Sequence, residues 1–396
     1  MAYQNPQSAP IEEPIFWTGE GADLGTEPDS GALVRRLTSG PMMNHLIYCE
    51  QPYTSPDGLR IAIIRGRDFA FVNDFSLLVG EPDTLKLALV EKSIPRNIAH
   101  NSWSEWLYYM THEGALRRVS LLTLQKQHVL PDDSIPMNAA FASITPDGRQ
   151  IICHERPAEE PPQIVAYDTE SGARSVLFSH PDNGNPHLQV DPIGGKHILM
   201  QLITGHAEGK IISVPVFIMD IDGENMRKFP IGGKHTSEST GHMAWITGTD
   251  RVAVAVEWNR AGRTHDPRHS HGNLVMAGID DTEPTIFKAP DRGFYHVSVS
   301  RCGTYFVADE FMDAETDVFR RDQIGPVRIV VGNIELGKYD TLIHDCRAYG
   351  IAGTSNWEPC PYFTADNRWV IYNSSPFGVN QVHAARVPEE FLAGLA

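Results

Sequence analysis

His187, His242, His296 and Cys360 each stand eight or nine positions ahead of a short apolar run, the runs opening at Lys196, Arg251, Thr304 and Arg368. A single histidine at such a place is explained as well by a hydrogen bond in a channel wall as by chemistry. Four nitrogen and sulfur donors at one position of a repeat are different: hydrophobic packing does not select them, and imidazole and thiolate are transition-metal ligands. The expectation is that they converge around a metal. Gln189, just beyond His187, and His206 in TGHAEGK add polar groups to the substrate cleft that His187 lines.

Trp245, Trp357 and Tyr362 flank the donors. Such aromatics either pack between neighbouring units or lie against a sugar ring. His265, His269 and His271 belong to THDPRHSHGN, a polar, glycine-flanked insertion that reads as a solvated loop, and His344 in LIHDCR is a loop residue at a cleft edge. There is no GxSxG elbow, P-loop or GxGxxG turn opening a helix, so those nucleophile and phosphate chemistries have no support.

Residues so far apart can meet only if a repeated element brings them together. Helical periodicity is scarce, while 33 glycines and 28 prolines suit strands joined by tight turns. Seven β-branched or aromatic runs recur about 45 to 65 residues apart: LRIAII, EWLYYM, RQIICHE, KHILMQL, RVAVAVEW, TYFVADE and RWVIYNS. Turn sequences such as SPDG, TPDG, SRCGT and TADN precede them, with residue types that supply turn geometry. NSWSEW, ahead of the second run, has no glycine and is the weakest.

This spacing predicts four-stranded blades, and since no blade buries both faces alone, the seven must close into a ring. The fold expected is all-β, a single seven-bladed β-propeller over 1–396, closed by an N-terminal strand near 32–40 that joins the last blade. A solenoid or a two-sheet sandwich is the alternative. No feature of the sequence sets an oligomeric state.

The formal charge of −17 repels nucleic acid and anionic membranes. Five scattered cysteines without a CxxC pair suit a reducing compartment, and the N-terminus reads as neither a secretory signal nor a transit peptide. No apolar run approaches the ~20 residues of a membrane span. A cytoplasmic protein is expected.

NPHLQVDP (185–192), TGHMAW (240–245), YHVSVSRCGTYFVADE (295–310) and EPCPYFTADNRWVIYNSSPFG (358–378) resemble the oligogalacturonate lyases, as does the opening GALVRRLTSG (31–40). The resemblance spans nearly the whole chain. Those enzymes are cytoplasmic seven-bladed propellers that cleave short uronate oligomers by β-elimination with a divalent metal, typically manganese. By this resemblance His242 in GHMAW corresponds to the general base of a His-x-x-Trp motif, and His296 in YHVSVS to one metal-binding histidine. The remaining metal set of the family, Gln-x-x-His-Pro-His, reads Ser355, Glu358 and Cys360 here, and a family arginine aligns with Pro215.

The implied ligands are therefore His296, Glu358 and Cys360, and the implied substrate is a small uronic-acid oligosaccharide. The thiolate moves the expected metal from manganese toward zinc or iron. Removing the proton beside a carboxylate requires that carboxylate to be neutralised, and imidazole can take the proton near neutral pH. Two readings stay beside the lyase: a propeller that only binds a sugar or a protein, and a different metal-dependent enzyme on the same scaffold.

Overall fold

The structure, a computed structural model, describes residues 10–66, 74–207, 210–257, 272–290, 292–311, 324–349 and 358–396. Seven antiparallel sheets are arranged in a ring, the predicted seven-bladed β-propeller. All seven apolar runs become the second strand of a blade: Ile61–Gly66, Trp106–Met110, Gln150–Glu155, His197–Gln201, Arg251–Val256, Tyr305–Phe311 and Trp369–Ser374. Each pairs with an inner strand nearer the axis, shorter in six of the seven blades, such as Ile98–His100 in blade two, Gln189–Val190 in blade four and Tyr362–Phe363 in blade seven.

These second strands do not alternate between apolar and polar residues because both of their faces are covered. In Ile61–Gly66, Ala62 and Ile64 pack toward Leu107 and Tyr109 of blade two, whereas Ile61 and Ile63 pack toward Trp369 and Ile371 of blade seven. Val252 and Val254 likewise face Leu199 and Val216, and Ala253 faces Phe294 and Phe306. The core is thus a ring of clusters between blades, and burial of these side chains is what holds each blade to the next.

The turns add contacts of their own. Gly303 has φ +73°, and a Cβ there would lie 2.4 Å from the carbonyl oxygen of Thr247, so glycine alone lets the blade-six turn rest on blade five. In blade two the turn after the inner strand lacks glycine, and Trp103 takes the left-handed conformation instead, at φ +59°.

Leu33–Arg36 pairs antiparallel with Gln381–Arg386, from His383↔Arg36 to Arg386↔Leu33. Residues from both ends of the sequence therefore share blade seven, with Ala22–Thr26 outside them. Blades one and seven are stitched further by the Asn44 amide, which donates to the Asn380 carbonyl at 3.0 Å. Two other N-terminal strands, Pro10–Ile11 and Phe16–Gly19, extend the outer edges of blades two and one. Among the described residues no helix is long and apolar enough to cross a membrane.

Candidate functional site

The donors sit where chain enters the inner strands, and in each of the four blades a local irregularity aims them. In blades five and six the pairing register shifts between Ser239 and Met243 and between Phe294 and Val297, so bulges carry His242 and His296. Gly241, at φ +95°, supplies the first bulge. In blades four and seven His187 and Cys360 themselves adopt left-handed backbone, at φ +48° and +45°. That conformation is costly for a side-chain-bearing residue and gathers at functional sites.

His296, Glu358 and Cys360 meet at the axis, their ligand atoms all within 4.8 Å of one another and all three residues buried. Asp309, wholly buried, orients this group. Its carboxylate accepts the backbone N–H of His296 at 2.8 Å, lies 2.8 Å from His296 Nδ1 and accepts the Cys360 N–H at 3.3 Å. A histidine held through one nitrogen by a carboxylate presents the other as a ligand. His296 Nε2 is buried without a hydrogen bond, although Glu358 Oε2 is 3.2 Å away. The contact is close in distance but lacks hydrogen-bond alignment, which suits an ion held between nitrogen and oxygen better than a proton.

His242 lies against this group, its ring centroid 4.2 Å from that of His296 and 4.5 Å from that of Tyr295. Its Nδ1 is 3.3 Å from the Tyr48 hydroxyl and 3.9 Å from Glu50 Oε1, while Nε2 has no partner among the described residues. Glu50 also lies 3.0 Å from His187 Nδ1 and accepts from Gln189 Nε2 at 3.1 Å.

Burial, with the charges of His296 and His187, pushes the His242 imidazole well below its ordinary range. Burial works against charge on His296 too, but Asp309, Cys360 and Glu358 outweigh it and hold that imidazole well above its ordinary range. Two histidines in contact are thereby shifted in opposite directions, and a metal at His296 would have to displace the proton that these acids favour there. Burial also raises the Cys360 thiol, as does the neighbouring Cys49 thiol. Metal binding there must release a proton.

The residues present fit a divalent ion. A buried, unpartnered imidazole nitrogen, a carboxylate and a thiol converge on one point, and this nitrogen, oxygen and sulfur set suits zinc or iron better than manganese.

Of the other residues singled out from the sequence, His187 is at the site, with Asn185 Nδ2 3.0 Å from its Nε2. Gln189 is buried and also donates to the Met243 carbonyl at 2.7 Å, so it braces Glu50. Trp245 is packed between blades and donates its indole N–H to the Gln189 carbonyl at 3.3 Å. Tyr362 has no exposed surface and packs between blades seven and one with Trp369 and Leu37. These two aromatics present no face to a sugar because the inner strand turns them toward the neighbouring blade.

His206 lies in the hairpin strand Thr204–Ala207, and its side chain falls outside the described residues. Ser355, Trp357, His265, His269 and His271 fall outside them as well. His344 is not at the cleft but 3.2 Å from Glu27 at the outer rim of the ring.

Tyr48, Glu50 and Asp309 are functional neighbours that a pattern of nitrogen and sulfur donors does not mark. A signal for two of them existed. Counting nine positions back from the run at Leu59 reaches Glu50, and Asp309 is a carboxylate inside the otherwise apolar strand YFVAD.

No protein-family model matches the chain, and no curated protein matches it. Solved structures do. An oligogalacturonate lyase in complex with manganese aligns with a TM-score of 0.67 at 16% identity, covering 98% of this chain and 99% of that one. An oligogalacturonate lyase from Vibrio parahaemolyticus aligns with a TM-score of 0.64 at 17% identity, covering 97% and 100%. The tricorn protease aligns with a TM-score of 0.52 at 10% identity, over 87% of this chain and 36% of its own. Over nearly its entire described length, then, this chain has the seven-bladed propeller fold of oligogalacturonate lyases.

Proposed function

We propose that the protein is a metal-assisted lyase that cleaves a uronic-acid-containing oligosaccharide by β-elimination. The observation that carries this reading is His242 in ring contact with His296, which together with Glu358 and Cys360 offers a ligand set on the propeller axis. Fold similarity to two oligogalacturonate lyases supports the class of reaction. His296, Glu358 and Cys360 would hold a divalent ion, which would supply positive charge to neutralise the uronate carboxylate next to C5.

His242 Nε2 accepts the C5 proton. The electron pair left behind forms the C4=C5 double bond as the C4–O4 bond breaks, and the leaving oxygen is protonated from solvent. For Nε2 to be the acceptor, the other ring proton sits on Nδ1 and is donated toward Tyr48 Oη, at 3.3 Å. Glu50, 3.9 Å from Nδ1, stabilises the imidazolium as it forms. Asp309 keeps the His296 ring in place. The free state of all five cysteines supports a reducing, cytoplasmic location for this activity.

Absorbance of the unsaturated product, followed on a panel of uronate oligomers, tests the reading alongside the metal content of purified protein. About one metal per chain with rising absorbance is expected. His242→Ala should abolish turnover and leave metal content unchanged, and undiminished turnover in that variant would remove the base assignment. A propeller that only binds its ligand is the second reading. The full enclosure of His296 favours it, and an empty site with a flat trace on every oligomer would select it.

A further inference from the structure

The axis holds one more charged residue at the donors' position in the repeat. Counting back nine residues from the run at Glu105 reaches Arg96, as the same count reaches Glu50 from Leu59, His187 from Lys196 and His242 from Arg251. The pairings agree. Arg96 precedes the pair His100↔Leu107 by the same four residues that separate Glu50 from the bridge Thr54↔Ile61. Arg96 therefore enters blade two where Glu50 enters blade one.

The Arg96 side chain is half-buried, and among the described residues it has no hydrogen bond, ion pair or ring contact. The groups within electrostatic reach of its guanidinium are Tyr53, in the core between blades one and two, and Tyr48 and Cys360 of the central site. Several other enclosed arginines are paired, Arg60 with Glu81, Arg65 with Glu20, Arg117 with Glu91 and Arg292 with Glu310, whereas Arg36, in the strand that closes blade seven, also lacks an acid partner among the described residues but does not stand at the donors' position in the repeat. The acids of the centre are already engaged, Glu50 with His187 and Gln189, Asp309 with His296, and Glu358 against His296. A guanidinium drawn out of water with no counter-charge is unfavourable unless a ligand supplies one, and its planar fork matches a carboxylate.

We propose that Arg96 binds a carboxylate of the ligand beside the metal-type cluster, and so makes the site select acidic over neutral sugars. The inference rests on the uronate reading for the identity of that ligand, but the carboxylate contact is separable from it. Calorimetric titration in the presence of a chelator removes any contribution of metal to carboxylate binding. The probes are trimers of galacturonate, glucuronate, mannuronate and guluronate, the methyl ester of the galacturonate trimer, and malonate as a carboxylate without a sugar. Proteins compared are wild type, Arg96→Gln and Arg96→Lys.

Wild type is expected to bind at least one uronate trimer about tenfold or more tightly than the ester, consistent with a charge-assisted bidentate contact. Arg96→Gln should erase that difference, and Arg96→Lys should keep part of it. Because Arg96 has no partner to lose, Arg96→Gln should melt no lower than wild type. Equal acid preference in wild type and both variants would overturn the inference and leave the uronate reading standing. Malonate binding that Arg96→Gln loses, without binding of any uronate, would uphold the inference and sink the uronate reading. Wild type that binds no carboxylate would overturn the inference, as would a melting temperature lowered in both variants with acid preference intact.

Discussion

Asp309 has two jobs at once, which makes it the most informative single residue of the site. One carboxylate oxygen accepts the His296 backbone N–H, and the other spans His296 Nδ1 and the Cys360 N–H. It therefore joins the bulge of blade six to the strained entry of blade seven. Asp309→Asn is expected to weaken metal binding about 10- to 100-fold, the range for loss of an outer-shell carboxylate, as read by competition with a chromophoric chelator. Unchanged affinity would mean that Asp309 supports the fold but not the ligand. In the proposed ligand set Cys360 would decide which metal is preferred, because thiolate is soft. Cys360→Ser should lower the zinc-to-manganese ratio of protein loaded from an equimolar mixture and remove the sulfur-to-metal absorption of a cobalt-substituted sample. A ratio and spectrum indifferent to this change would place the thiol outside the coordination sphere.

At the scale of elements, the blades position the donors through departures from regular strand. Bulges carry His242 and His296, and left-handed residues carry His187 and Cys360. A perfectly paired inner strand would alternate its side chains between neighbouring blades, as it does for Trp245 and Tyr362, and leave few pointing along the axis. The turns set how closely blades approach. Gly303→Ala would place a methyl 2.4 Å from the Thr247 carbonyl oxygen on a backbone at φ +73°. A loss of about 1–3 kcal/mol is expected in urea unfolding, with the site's metal content retained. Stability within a few tenths of wild type would show that the two blades can separate at little cost.

For the whole molecule, ring closure has a consequence for acid stability. His383 lies in the strand that pairs with Leu33–Arg36, and burial lowers its pKa to about 4, with the Gln381 carbonyl opposing and Arg36 adding to the shift. His100, in the inner strand of blade two, is lowered to about 4 mainly by burial. Both are neutral in the folded ring and titrate near 6.5 once unfolded. Between pH 6.5 and 4 the unfolded chain binds more protons, so stability contributed by these residues is complete above about pH 6.5 and declines as pH falls toward about 4. The two together are worth on the order of a few kcal/mol. Urea midpoints measured across that window should fall with pH, and His383→Gln should flatten the slope. A wild-type slope that the substitution leaves unaltered would assign the acid sensitivity elsewhere.

Seven second strands could be read from the sequence because burial on both faces leaves an unbroken apolar run, which a single chain displays without any knowledge of its neighbours. The count back from those runs also marked axis positions, since in six of the seven blades the inner strand starts 7 to 12 residues ahead of the second strand. What a donor meets on arrival was not legible. Tyr48, Glu50 and Asp309 act on His242 and His296 across blades far apart in sequence, and the opposite shifts of the two histidines come from burial and neighbouring charge. The direction in which each side chain points depended on bulges and left-handed residues that periodicity does not encode. Sequence alone determined the repeat and the places where chemistry could stand; only closure of the ring decided which groups meet there, because Coulomb forces and desolvation act through space and not along the chain.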